Sequence, residues 1–221
     1  MDVTLLEREL MPSRVRLYST RLMKEVEDGT LPLSVYKGFV QETYHYVKHT
    51  TRFFVAAASR MPEEYERSRK DLIEYAADES GHEVYLLNDL KALGMSPEEV
   101  KRSEPLIETE ALTGFHYYLA MFGNPVGIWG NVYAVEGFSN DKSSKAAETL
   151  MSSLHLPKAA VSFLVSHGKF DVGHFNNAKD IIEKKIVSQE DERAVAYCAR
   201  ASLELYATMY EAVYSHYGRP S

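Results

Sequence analysis

Apolar residues recur every three or four positions along almost the whole chain, and no stretch sustains the period-two alternation of a half-buried strand. With no Asn-Gly hairpin signal either, that periodicity restricts the chain to an all-α fold. Breakers divide it into about seven helices. The first spans about Leu5 to Glu27 and stops at the Gly29–Pro32 turn. The second runs from about Ser34 to Met61, and Pro62 opens a third that ends at Gly94. Ser96-Pro97-Glu98-Glu99 reads as the cap and first turn of a short helix. Further helices are predicted from about Thr109 to Phe122, and from Val126 through Glu136 with a kink near Gly137. The sixth opens at His155-Leu156-Pro157 and runs to about Val187, and the seventh runs from Ser188 to the C-terminus. There is no repeat and no low-complexity segment, so residues 1–221 read as one domain.

Composition excludes several function classes. The 221 residues are 45% hydrophobic and 26% charged, enough to bury a core without covalent staples. Cys198 is the one cysteine, so no internal disulfide can form. The N-terminal stretch is charged throughout, and the expected setting is reducing and cytoplasmic. No apolar run reaches the roughly 18 residues of a membrane span. The net charge is −7 and no basic cluster could track a phosphate backbone, which argues against nucleic-acid and membrane partners.

The informative departures lie on the helix faces that should be apolar. In the third predicted helix, the stripe through Leu72, Ala76, Leu86 and Leu90 is interrupted by Glu79 and His82. A carboxylate on a core-facing stripe is costly unless paired or metal-bound, and a Glu-x-x-His spacing sets both groups side by side on one helix. Taken alone, this short pattern fits a solvated helix edge equally well. In "SHGKFDVGH", His167, Asp171 and His174 occupy successive turns between Leu164 and the Ala178, Ile181, Ile182 stripe. Three ligand-type residues on consecutive core-facing turns favour a metal over an isolated buried histidine. Glu136 follows Trp129, Val132 and Tyr133 at helical spacing, as a candidate bridging carboxylate.

Together these are three histidines and three carboxylates from three predicted helices. Mixed imidazole and carboxylate donors suit Fe, with Mn as the other fitting metal, rather than Zn–thiolate or Fe–S sites. Six ligands are too many for one catalytic ion with open positions and suit two Fe ions that share carboxylates. Such a pair can bind O2 and oxidise a nearby small-molecule substrate, drawing electrons from an external reductant. Glu42, His45 and His49 form a further polar group on the second predicted helix. They are candidates, with Tyr133, for lining a substrate pocket; buried hydrogen-bonding residues are the other reading of the first three. Gly168 and Gly173 could leave room beside the metals. Tyr206, Tyr210, Tyr214 and Tyr217 stripe the last helix, as ordinary packing, a pocket wall or a dimer face.

"DESGHEVYLLNDLKALGMSPEEV", "YAVEGFS" and "SHGKFDVGHFNNAKDII" resemble the haem-oxygenase-like di-iron oxidases, similar in fold to the thiaminase-II (TenA) and pyrroloquinoline-quinone-synthase proteins. The resemblance implies a seven-helix haem-oxygenase-like bundle, often a homodimer, with a central metal and substrate pocket. It implies two irons held by Glu79, His82, Glu136, His167, Asp171 and His174, which would also be the catalytic groups. Several members place extra residues between the glutamate and the histidine, which here are three apart; this leaves open how Glu79 is shared. The chemistry of such proteins includes oxidation of amino-acid- and fatty-acid-like carboxylates, and one chlamydial member converts one of its own tyrosines to p-aminobenzoate. Tyr18 lies near the corresponding position. Lys or Arg facing the pocket would hold a substrate carboxylate. Two alternatives are a metal-independent pocket enzyme of the TenA type, which would use a mid-chain cysteine absent here, and a non-enzymatic interaction protein.

Overall fold

The computed structural model describes residues 1–218, with no side-chain description for residues 168–172. Every regular element in it is helical: α1 (Val3–Tyr18), α2 (Arg21–Glu27), α3 (Leu33–Val47), α4 (Thr50–Arg60), α5 (Glu66–Asp78), α6 (His82–Ala92), α7 (Pro97–Arg102), α8 (Ile107–Met121), α9 (Ile128–Ser153), α10 (Ser162–Lys185) and α11 (Gln189–Tyr217). Three short 3-10 turns link some of them. The all-α expectation is met, but three of the seven expected helices are each divided in two.

Each division has a local cause. Between α1 and α2, the Thr20 hydroxyl donates to the carbonyl of Leu17 at 2.8 Å and Thr20 turns extended. Between α3 and α4, Thr50 donates likewise to Val47 at 2.9 Å. Hydroxyls that bond back to the preceding turn compete with the helical ladder. Between α5 and α6 the break is at Gly81, whose φ of +96° is open chiefly to glycine. Conversely, α9 runs unbroken past Gly137 to Ser153, where a kink near Gly137 was expected. A Cβ on Gly137 would meet the Phe175 ring at 2.9 Å, so that glycine serves close packing against α10 rather than a bend.

The long helices α9, α10 and α11 form the centre, with α9 packed along both of the others and α1 lying on α11. A Cβ on Gly130 would lie 2.1 Å from the carbonyl oxygen of Val195, so α9 and α11 approach backbone to backbone there. The shorter helices α3 to α6 and α8 complete the wall, and one apolar cluster runs through all of them. Trp129 is fully buried at its middle, and its indole N–H donates to Ser68 at 2.7 Å. No described helix is long and apolar enough to cross a membrane.

Candidate metal centre

The buried face of α5, Leu72, Tyr75 and Ala76, leads to Glu79 at the C-cap of that helix. Gly81 then reverses the backbone, and His82 is the first residue of α6. Glu79 and His82 therefore do not share one helix face, as the spacing suggested; they straddle a helix break. The left-handed glycine nevertheless returns the imidazole to the carboxylate, with His82 Nδ1 3.1 Å from Glu79 Oε2.

The other candidate ligands come from α9 and α10. Glu136 sits on the buried face of α9, 4% exposed, and accepts a 2.5 Å hydrogen bond from the Tyr75 hydroxyl on Oε1. His167 donates from Nδ1 to the carbonyl of Phe163 at 2.9 Å, which leaves Nε2 as the atom with a free lone pair. Its ring centroid is 4.9 Å from that of His82. Burial pushes the His167 imidazole below its ordinary pKa, favouring the neutral form a metal requires. Two turns on, His174 Nδ1 lies 3.8 Å from Glu79 Oε1 and 3.8 Å from Glu136 Oε2.

These side chains make two groups of three. Ligand atoms of Glu79, His82 and His167 all lie within 4.8 Å of one another, as do those of Glu79, Glu136 and His174. Glu79 belongs to both, with one oxygen toward each histidine of α6 and α10. The donor set fits hard-to-intermediate metals such as Fe or Mn. One buried atom supports an ion over a plain polar network: His174 Nδ1 has no hydrogen-bond partner among the described residues, although two carboxylates face it at 3.8 Å. A cation between them would satisfy a spacing too long for hydrogen bonds. Asp171 and Gly168 lie outside the described side chains. Gly173 is exposed, and a Cβ there would meet nothing within 4 Å, so it relieves no crowding at the centre.

Three residues that sequence reasoning passed over shape this centre. Tyr75 holds one Glu136 oxygen and packs edge-on against His174, with ring centroids 4.9 Å apart. Asp78 Oδ2 stands 3.7 Å from His174 Nε2. Asp89, buried on α6, accepts from the backbone N–H groups of Ser162 (2.8 Å) and Phe163 (3.0 Å), tying the helix of His82 to the N-terminus of the helix of His167. Asp89 alone had a readable signal, an acid on the Leu86–Leu90 stripe; Tyr75 looks like any core aromatic.

Glu79, Glu136 and His167 form one side of an internal cavity of about 90 Å³. Its other walls are mainly aromatic, including Phe39, Phe54, Tyr206 and Tyr210, with Thr43, Thr50 and Asn131 as neutral polar groups. No Lys or Arg is among its described lining residues, against the expectation of a cationic anchor. Of the tyrosine stripe, Tyr206 and Tyr210 line this cavity, while Tyr214 donates to Glu25 and Tyr217 to Glu42.

The other pocket candidates lie elsewhere. Glu42 is fully buried and accepts from the Leu106 N–H, the Thr109 hydroxyl and the Tyr217 hydroxyl. His45 bonds Ser103 at 2.9 Å and is pushed down to about 4 by burial and then by Lys48. His49 bonds the Tyr117 hydroxyl at 3.1 Å. These three are hydrogen-bonded packing groups that hold α3 and α4 to α7, α8 and α11. Tyr133 donates to Glu7 and, with Tyr18, lines a separate surface cleft. Tyr18 stacks on Phe138, which stands between it and the metal-lined cavity. Cys198 is buried and its thiol is pushed up to about 12, the opposite of a nucleophile's setting.

The fold is shared with solved proteins of the haem-oxygenase-like type. A domain of unknown function with a heme oxygenase-like fold from Shewanella denitrificans superposes with a TM-score of 0.88 at 27% identity, over 99% of this chain and 94% of that one. A TenA homologue from Pseudomonas syringae gives a TM-score of 0.81 at 14% identity, over 96% and 92% of the two chains. A CADD-like protein of unknown function from Nostoc punctiforme gives 0.70 at 14% identity, over 97% and 99%. No curated protein matches the sequence. Residues 37–207 match the family model described as iron-containing redox enzyme, and with that match covering most of its length the chain belongs to that haem-oxygenase-like family.

Proposed function

We propose that the protein is an O2-dependent non-haem di-iron oxidase acting on a small metabolite. One observation carries this reading: the buried Glu79 is shared by two three-ligand groups at the wall of a cavity. Two ions held there would have Glu79 in common. Glu79, His82 and His167 would hold one iron, and Glu79, Glu136 and His174 the other, with Asp171 as the sixth expected ligand. Mn would fit the same donors. When bound, the reduced metals would activate O2, with electrons supplied by an external reductant.

The chain's own groups have separate tasks. The Phe163 carbonyl fixes the His167 tautomer so that Nε2 is the donor atom. The Tyr75 hydroxyl occupies one oxygen of Glu136 and leaves the other toward His174. The aromatic walls exclude water and fit the uncharged body of a substrate. An amino-acid- or fatty-acid-like substrate would then bind without a cationic anchor from the described walls.

Anaerobic loading with Fe(II) tests the proposal. The expected result is close to two irons per chain and a transient visible absorption on exposure to O2, lost in His167→Ala. Well-folded protein that takes up no metal would overturn it in favour of a metal-independent pocket enzyme or an interaction protein. Mass spectrometry after turnover separately tests whether Tyr18 is consumed. Its place behind Phe138 argues for an unmodified residue.

A further inference from the structure

Most hydroxyl and amide groups on the wall of the metal-lined cavity are bonded within the chain. The Thr50 hydroxyl donates to the Val47 carbonyl at 2.9 Å, and the Asn131 amide meets His116 at 2.8 Å. Tyr46 and Tyr206 bond each other, as do Ser139 and Ser143 at 2.8 Å. Two hydroxyls are left over among the described residues. Thr43 Oγ1 is buried with no hydrogen-bond partner, and no described group bonds the hydroxyl of Tyr210. Thr43 is 7% exposed and Tyr210 4%. They occupy neighbouring parts of the wall. The Tyr210 ring packs edge-on against Phe39, with centroids 5.6 Å apart, and Phe39 lies one turn before Thr43 on α3.

Neither hydroxyl is required by the fold. A Ser or Thr inside a helix can bond back to the carbonyl of the preceding turn, as Thr113, Ser202 and Thr208 do here. Thr43, in the body of α3, does not. Valine has the same outline and would remove the cost of an unpaired buried hydroxyl. Phenylalanine would do so for Tyr210. A ligand in the cavity gives both hydroxyls a use.

The rest of the wall sets the charge and size of that ligand. Apart from the candidate metal ligands Glu79, Glu136 and His167, every described lining residue is neutral. An ionic group beside Thr43 or Tyr210 would therefore lose its water without gaining a counter-charge. A cavity of about 150 Å³ holds benzene, so one of about 90 Å³ holds roughly five non-hydrogen atoms.

We infer that Thr43 and Tyr210 determine specificity, their hydroxyls donating to an uncharged oxygen group, a carbonyl or a hydroxyl, on a small and otherwise apolar molecule in this cavity. That this molecule is the substrate rests on the oxidase reading; its binding does not.

2-Butanone and its hydrocarbon isostere 2-methyl-1-butene test the inference, with butyrate as the charged comparison. Binding is followed by saturation-transfer NMR on the full chain, as isolated and with a chelator present, which separates the outcome from that of Fe(II) loading. 2-Butanone should bind, and butyrate should bind more weakly. Thr43→Val and Tyr210→Phe should each weaken 2-butanone by roughly five-fold and leave the hydrocarbon unchanged or tighter. Thr43→Ser should bind the ketone like the unmodified protein. Thr43→Val should also melt no lower than the unmodified protein, because it loses no hydrogen bond within the chain. Absence of ketone binding, or ketone binding that neither variant weakens, would overturn the inference. So would equal losses of ketone and hydrocarbon, which would make the two side chains packing groups, or butyrate binding as tight as the ketone. Ketone binding that follows the expected pattern in protein that takes up no iron would overturn the oxidase reading alone.

Discussion

Two side chains at the cavity have roles that their residue type does not announce. Tyr75 holds one oxygen of the candidate ligand Glu136, so Tyr75→Phe should keep the fold and weaken metal binding at the Glu79, Glu136, His174 group by roughly ten-fold or more. Mn(II) titration followed by electron paramagnetic resonance would show this as loss of the tighter binding phase. An unchanged isotherm would reduce Tyr75 to a packing residue. His116 is a different case. Its Nδ1 donates to Leu112 and its Nε2 accepts from Asn131, so a second proton would face an N–H. Burial holds it down to about 4, below the 6.5 of an exposed histidine. The unfolded chain takes up that proton first, so the contribution is complete above pH 6.5 and is lost as the pH falls toward 4. That is worth about 3 kcal/mol at most. Melting temperatures over this range should fall less steeply, from a lower starting value, in His116→Asn. Glu42, His45 and His49 were legible as buried polar residues, but not their partners. Those come from α7, α8 and α11, which only the folded chain brings to α3 and α4.

At the scale of elements, the helix break at Gly81 decides the form of the centre. An unbroken third helix would project Glu79 and His82 along one face; the left-handed glycine instead lets α6 leave at its own angle while His82 still meets Glu79. Gly81→Ala costs only backbone conformation, since its Cβ would contact nothing. The expected loss is about 1–2 kcal/mol. It should also turn His82 away, so Fe(II) stoichiometry should drop toward one per chain while Glu79, Glu136 and His174 still bind. Equal loss of both ions would show instead that the break serves the whole centre. Sequence periodicity joined these helices because a glycine within a helical pattern costs only about 1 kcal/mol and is often tolerated. Whether the backbone turns there depends on what the flanking helices pack against. The same holds for α9, where Gly137 looked like a kink and is a contact point for Phe175.

For the whole molecule, the centre ties together helices far apart in sequence: the α5–α6 junction, α9 and α10. Metal bound there would stabilise the native chain by mass action, by about 2.7 kcal/mol at a hundred-fold excess over Kd. Mn(II) should therefore raise the melting temperature of the protein, and Glu79→Ala, which removes a member of both groups, should abolish the rise. A variant that still responds would place the ion elsewhere. The amino-acid sequence by itself determined the all-α class, because helical periodicity is local and continuous. It also marked Glu79, His82, Glu136, His167, Asp171 and His174, because charged or ligand-type groups on apolar faces are conspicuous wherever they occur. Tertiary structure alone decided that Glu79 sits between two groups, that Tyr75 and Asp89 brace them, and that Tyr18, Tyr133, His45 and His49 stand apart. Those are relations between faces of different helices, set by packing angles and close approaches such as that at Gly130, and no spacing along one helix encodes them.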